Sequence, residues 1–364
     1  MRPSHLVALA AACAAVVLPA QAGAAPAGTI AFHQKTFDDS DSQIYLARAD
    51  GTSGAVALTT TASAPDPSAC WNGGCGAEFP DWAPDGSRIY FDSSWSPFIH
   101  LWSVAPDGSD PVMEPAVTEF DGLPGVSPDG TLIAWDGASD GGNEDLSQQG
   151  IYLRALGSPT ATKLTSGPSD GYDSSPDISP DNTRVVFTRF HNSGVRVEIW
   201  SVRTDGTGLR RLLSGGRRWG DPHYSPDGSK ILVQAYDELA NQGRNSNEFT
   251  IRPDGSGLRQ LTNAARGEFF FSGDWSPDGQ HIAYVSASHL ADHLQIRSMD
   301  ANGHDEGLIA DCDPELFCDV PSWGVYDGAL PAAASARTRS AHAAHAQRSH
   351  RAAVKRLRRA VIRR

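Results

Sequence analysis

One short phrase recurs five times along the chain: DWAPDG at 81–86, GVSPDG at 125–130, DISPDN at 177–182, HYSPDG at 223–228 and DWSPDG at 274–279. Recurrence at a near-constant period means that one supersecondary unit is stacked on copies of itself, which few folds allow. The phrase has the chemistry of a hairpin turn. Proline presets φ at the second position, Asp bonds its own backbone, and Gly accepts positive φ. Asn182 stands once in the Gly column, and Asn is a residue able to enter the left-handed region.

After each turn comes a β-rich run: RIYF (88–91), LIAW (132–135), RVVF (184–187), KILV (230–233) and HIAY (281–284). A second run follows, as in IHLWSV (99–104), GIYLRA (150–155), EIWSVR (198–203) and LQIRSM (294–299), often ending at an Asp-Gly turn. Each unit therefore holds about four strands. The turn prolines Pro84, Pro128, Pro180, Pro226 and Pro277 are 44, 52, 46 and 51 residues apart, the size of a four-stranded propeller blade.

The ends of the array indicate how it closes. GTIAF (28–32) and QIYLARADG (43–51) match the second and third strands of a blade that has no first strand before them. PSWG (321–324) matches a first strand with no second strand after it, 48 residues beyond the previous copy. The expected fold is all-β: a six-bladed propeller of four-stranded antiparallel blades, with the C-terminal segment supplying the innermost strand of blade 1 and removing the open sheet edges.

The repeated Trp-Ser-Pro-Asp-Gly followed by Ile-Ala-Phe/Tyr and Ile-Tyr resembles the WD40-like propeller repeat of the TolB family, over roughly residues 28–328. The resemblance implies a propeller in the cell envelope. TolB-like proteins place an α/β domain before the propeller, and here the repeats follow the leader almost directly. Similar repeats also carry prolyl oligopeptidase-like enzymes and polysaccharide lyases, so fold alone does not select a function.

Residues 1–22 read as a signal peptide, with Arg2, the apolar run Leu6 to Pro19, and a small-residue cleavage site at Ala20-Gln21-Ala22. Residues 23–328 form the propeller, and 329–364 form a separate basic tail. The protein is thus expected to be exported, periplasmic or extracellular. Cys70, Cys75, Cys312 and Cys318 read as two local disulfides, Cys70–Cys75 and Cys312–Cys318, flanking the split blade. Residues 331–364 carry nine Arg, one Lys and no acid, which leaves −23 on residues 1–330 from a total of −13. That tail is either a solvated extension or an amphipathic basic helix in peripheral contact with an anionic surface. Nucleic-acid binding is not expected, because the acidic propeller repels phosphates.

Tight turns mark one face of such a ring as structural, so function is expected on the opposite, long-loop face and at the channel mouth. The ligand-binding candidates at that mouth are Glu78, Asp121, Asp173, Trp219, Asp221, Phe269 and Asp319. Deeper in the channel lie Asp81, Asp177, His223 and Asp274, with Gly125 and Ser322 in the same column. An acidic, aromatic-edged channel suits a cationic segment, or calcium or another divalent cation; otherwise no cofactor is expected. The competing reading makes these aspartates partners of strand-end amides.

Catalytic signatures are sparse. The Gly167-Pro168-Ser169-Asp170-Gly171 match to a nucleophile elbow lies in a blade-to-blade loop, not between strand and helix. Two function classes stay open. The first is a non-catalytic, monomeric scaffold that binds a protein or cell-envelope polymer. The alternative is a propeller-only carbohydrate-active lyase or hydrolase with a metal in the channel, for which His289 and His293 are candidate ligands.

Overall fold

A computed structural model describes residues 26–36, 41–70, 74–138, 149–191, 195–237, 245–288, 294–314 and 316–331. Residues 1–22, read above as a signal peptide, His289 and His293, and the tail beyond residue 331 lie outside these residues. The described chain contains twenty-four strands and one 3-10 turn.

The strands are arranged as six antiparallel quartets. In the first, β24 (Leu316–Gly324), β1 (Thr29–Thr36), β2 (Ser42–Arg48) and β3 (Val56–Ala57) run from the axis outward. The second holds β4 (Ala77–Trp82), β5 (Ile89–Ser93), β6 (His100–Val104) and β7 (Val112–Met113). The third holds β8 (Phe120–Val126), β9 (Leu132–Ala138), β10 (Gly150–Ala155) and β11 (Thr162–Lys163). The fourth holds β12 (Gly171–Ile178), β13 (Arg184–His191), β14 (Arg196–Arg203) and β15 (Arg210–Leu213). The fifth holds β16 (Arg218–Tyr224), β17 (Ile231–Asp237), β18 (Asn245–Ile251) and β19 (Arg259–Gln260), and the sixth holds β20 (Glu268–Trp275), β21 (His281–Ser288), β22 (Gln295–Asp300) and β23 (Asp305–Asp311).

Four quartets are separate four-stranded blades. The fifth and sixth form one eight-stranded sheet, because a single parallel bridge between Ser246 and Phe269 joins them. Six separate blades are thus not what the hydrogen bonding shows. Closure follows the expectation: β24 pairs antiparallel with β1 through Ile30–Trp323 and Thr29–Gly324.

The second strand of each quartet explains the packing. Neighbours cover it on both faces, so its run is apolar rather than alternating. Phe32, Phe91, Trp135, Phe187, Val233 and Tyr284 occupy one column there, and all are buried between quartets. The Ser-Pro-Asp-Gly turns fold as the residue types dictate. Ser127 donates its hydroxyl to Asp129 at 2.7 Å, Asp129 accepts the Thr131 amide at 3.0 Å, and Gly130 sits at φ 71°.

Both proposed disulfides, Cys70–Cys75 and Cys312–Cys318, are present. Beyond β24 the chain is fastened by Arg48, whose guanidinium donates to the carbonyls of Tyr326 at 3.2 Å, Asp327 at 3.3 Å and Gly328. Tyr326 also stacks on Trp82, with ring centroids 5.9 Å apart.

Candidate functional site

Every inner strand carries the same irregularity. The pairing register shifts within β4, β8, β12, β16, β20 and β24. At each shift one non-glycine residue enters the left-handed region: Phe79, Leu123, Ser175, Asp221, Ser272 and Val320, all with φ between 48° and 52°. Such a bulge twists the strand and turns side chains toward the axis. All six residues line a central channel with a cavity volume of about 500 Å³.

Four of the six strained amides are held by the preceding quartet. His33 Nδ1 accepts the Phe79 amide at 3.4 Å, Asp92 that of Leu123 at 3.1 Å, Thr188 that of Asp221 at 3.0 Å, and Gln234 that of Ser272 at 3.1 Å. Asp136, at the same place in β9, takes the Ser174 hydroxyl. The sixth quartet has Val285 in this column, which cannot accept, and Val320 instead donates to Asp319 at 2.8 Å.

Two residues further on lies the alternating ring of Asp81, Gly125, Asp177, His223, Asp274 and Ser322, all lining the channel. Each aspartate accepts an amide from the next inner strand. Asp81 holds Val126 at 2.6 Å, Asp177 holds Tyr224 at 2.6 Å, and Asp274 holds Trp323 at 2.8 Å. Ser322 ties back to Asp81 at 3.0 Å. The reading in which these aspartates serve strand-end amides therefore holds for all three, and for both oxygens of Asp274, whose Oδ1 takes the Trp275 amide at 2.8 Å. Glycine is required at 125, because a Cβ there would lie 2.5 Å from the Pro176 carbonyl oxygen.

Electrostatics make the ring unusual. Burial, with the charges of Asp274 and Asp177 added, lifts the Asp81 carboxyl to about 7. Burial likewise raises Asp177 to about 6, against the opposing pull of His223. Burial works against a charged His223, yet Asp221, Asp274 and Asp177 outweigh it and raise the imidazole to about 10. Its Nε2 and Nδ1 lie 3.7 Å from Asp221 and Asp274. The ring thus encloses its own cation.

The mouth candidates divide. Trp219, Asp221 and Asp319 line the channel, Asp319 accepting the Ser272 hydroxyl at 2.5 Å. Glu78 pairs with Lys35 at 3.9 Å, and Phe269 packs against the core beside Phe32 and Phe271, both outside the channel lining. Asp121 is buried in its own quartet, taking the Trp135 indole at 2.8 Å and the Thr118 hydroxyl at 2.6 Å. Asp173 is buried against Arg189, with contacts of 2.6 and 2.7 Å. These two stand two residues before the left-handed position, in the same column as the buried Trp219 and Cys318.

Arg218, Tyr236 and Ser272 also line the channel, and the sequence reading omitted them. The signal that could have located the lining is the proline at 80, 124, 176, 222 and 321, directly after five of the six left-handed residues. Among the described residues, no group of three or more His, Cys, Asp or Glu is arranged to hold a metal ion.

Comparison with known proteins places this geometry. The chain is 30% identical over 149 residues to an uncharacterized protein of Agrobacterium fabrum (strain C58), a match covering 37% of this chain and 46% of that protein, so it spans less than half of that relative's length. TolB from Acinetobacter baumannii superposes with a TM-score of 0.59 at 17% identity, over 81% of this chain and 66% of the other. The putative TolB from Agrobacterium tumefaciens gives 0.54 at 19% identity, over 80% and 98%. At such identities the likeness is one of fold. The family model described as TolB beta propeller domain matches residues 80–327, from β4 to the Arg48-bound segment, and the chain belongs to that family.

Proposed function

We propose that this TolB-like propeller is an exported, non-catalytic scaffold that binds an extended segment of a protein or cell-envelope polymer at the long-loop end of its channel. The ring counts as six-bladed when the two halves of the eight-stranded sheet are taken as separate blades. The carrying observation is the division of labour along the channel. At mid-depth the ring carboxylates are tied into neighbouring strands, whereas nearer the loop end the lining of the channel, about 500 Å³ in all, includes Asp221 and Asp319 together with Phe79, Trp219 and Tyr236. Acidic oxygens beside aromatic faces suit a segment with cationic and aliphatic parts. Two disulfides support export to an oxidising compartment, and the leader at 1–22 supplies the route.

The test is retention of an envelope component on the immobilised protein, with polysaccharide turnover measured in parallel. A single component should be retained and then lost on Asp221→Lys in a folded variant. Formation of unsaturated or reducing sugar ends by the purified protein would replace this reading with the carbohydrate-active one.

A further inference from the structure

Two outer turns carry nearly the same sequence. TDGTGLRRL (204–212) leads from β14 into β15 in the fourth quartet, and PDGSGLRQL (253–261) leads from β18 into β19 in the fifth. In each turn the second glycine is left-handed, Gly208 at φ 63° and Gly257 at φ 70°, and the leucine after it stands in solvent, Leu209 46% exposed and Leu258 48%. An arginine lies across each turn. A Cβ at Gly208 would come 3.6 Å from the Arg203 stem, and one at Gly257 would come 2.9 Å from Arg252 Nη1. The two turns also adjoin. Arg210 donates to the Pro253 carbonyl at 2.8 Å, and a Cβ at Gly255 would lie 2.6 Å from the Leu212 carbonyl oxygen. This outer edge therefore presents two leucines among Arg203, Arg210, Arg211, Arg252 and Arg259, all exposed. Arg211 lies 3.4 Å from Glu198, whereas Arg252 donates to the Ser256 hydroxyl at 3.3 Å and Arg259 to the Asn302 carbonyl at 3.2 Å, neutral acceptors that leave the charge in place. Against these cations stand Asp205 and Asp254, each holding an amide of its own turn at 2.9 Å.

We propose that this edge seats on an anionic lipid bilayer, with Leu209 and Leu258 in the headgroup layer and the arginines on lipid phosphates. The inference is independent of what the channel binds. Exposed apolar residues also occur at Leu308, near Asp305 and Glu306, and at Val112 and Met113, between Asp110 and Glu114, where the carboxylates would hold a phosphate surface off. In the fourth and fifth quartets the apolar tips coincide instead with guanidinium groups. Their planar donors match phosphate oxygens, and their stems tolerate an apolar layer. Two tips on adjacent quartets form a line rather than a pocket, which suits a continuous surface. The acidic remainder of the propeller does not forbid this contact, because at physiological salt exposed charges more than about 8 Å away are largely screened. It sets the orientation, since the flanks at Leu308 and Val112 would bring carboxylates to the bilayer.

The probe is a vesicle of phosphatidylglycerol and phosphatidylcholine, with phosphatidylcholine vesicles and soluble polyglutamate tested alongside. An environment-sensitive fluorophore is attached to full chains carrying Cys13→Ser and either Leu258→Cys or Gly54→Cys, the latter on the corresponding turn of the first quartet with open space around it. The label reports on this edge alone, so attraction of the basic residues 331–364 to the vesicle is not mistaken for it. A blue shift at 258 that is absent at 54, absent with phosphatidylcholine alone and weakened by added salt is expected. In the labelled Leu258→Cys chain, Leu209→Ser and the pair Arg203→Gln with Arg252→Gln should each lower vesicle affinity about fivefold or more. Thermal melts certify each variant, and the apolar and basic variants are independent, so misfolding of one leaves the other informative. Equal shifts at both labels, no shift at 258, unaltered affinity in either folded variant, or a larger shift with polyglutamate than with the anionic vesicle overturns the proposal.

Discussion

Replacing Asp81 by Asn should make the protein more stable at pH 8 and leave it nearly unchanged at pH 4. The carboxyl is raised by burial from 3.8 to about 7 in the folded chain. A group whose folded pKa lies above its unfolded value favours folding in its protonated form. It therefore costs nothing below about pH 4, and the cost grows as pH climbs to about 7. One pKa unit is about 1.4 kcal/mol, so the full shift is worth about 4 kcal/mol, an upper limit because the group faces channel water. Asn keeps an oxygen for the Val126 amide but offers Ser322 an NH2 where the hydroxyl now donates. Losing that bond costs about 1 kcal/mol at every pH, leaving a net gain of about 2–3 kcal/mol at pH 8 and a small loss at pH 4. Urea midpoints of both proteins across pH 4–8 measure this directly. A stability difference that does not change over that range would refute the electrostatic account of the ring.

Truncation before Asp319 removes most of the closing strand and should unfold the domain, whereas truncation after Leu330 keeps the Arg48 contacts and should leave the melting temperature unchanged. Arg48→Ala in the intact chain should cost about 0.5–1.5 kcal/mol through the lost hydrogen bonds to carbonyls that water or the Thr29 hydroxyl still reaches, read as a lower urea midpoint. Gly125→Asp, which would extend the aspartate column, should destabilise by about 2 kcal/mol or more, because its Cβ meets the Pro176 carbonyl at 2.5 Å; circular dichroism melts decide it. Thr188→Val should cost about 1–2 kcal/mol by orphaning the Asp221 amide, with little change in side-chain volume.

Much of the fold was legible because repetition multiplies weak signals. One Ser-Pro-Asp-Gly is merely a turn, but five at blade spacing count units, and the unmatched runs at 28–32 and 321–324 announce the closing strand. The channel was less legible because strand reading counts by twos, and a bulge in every inner strand breaks that count. Asp121 and Asp173 looked like mouth residues by their distance from the turn, yet the bulge puts them in the buried column. Phe79 and Leu123 gave no composition cue, since neither favours a left-handed backbone, and only contacts from the preceding quartet hold them there. His223 could be placed in the ring by alignment. Its cationic state depends on Asp221, which the same bulge carries to the channel wall.

The amide clamps between neighbours also bear on how such rings can change size. The first, second, fourth and fifth quartets each supply an acceptor to the strained amide of the unit after them. The second and fifth quartets carry both halves of the contact, so a copy of either leaves no such amide without its acceptor. At the seam, Val285 asks nothing of its neighbour and Asp319 satisfies its own strand. Gene duplication could add a copy of either unit and leave untouched the junction where the ring closes, which is held instead by Asp274 on the Trp323 amide and Asp319 on the Ser272 hydroxyl.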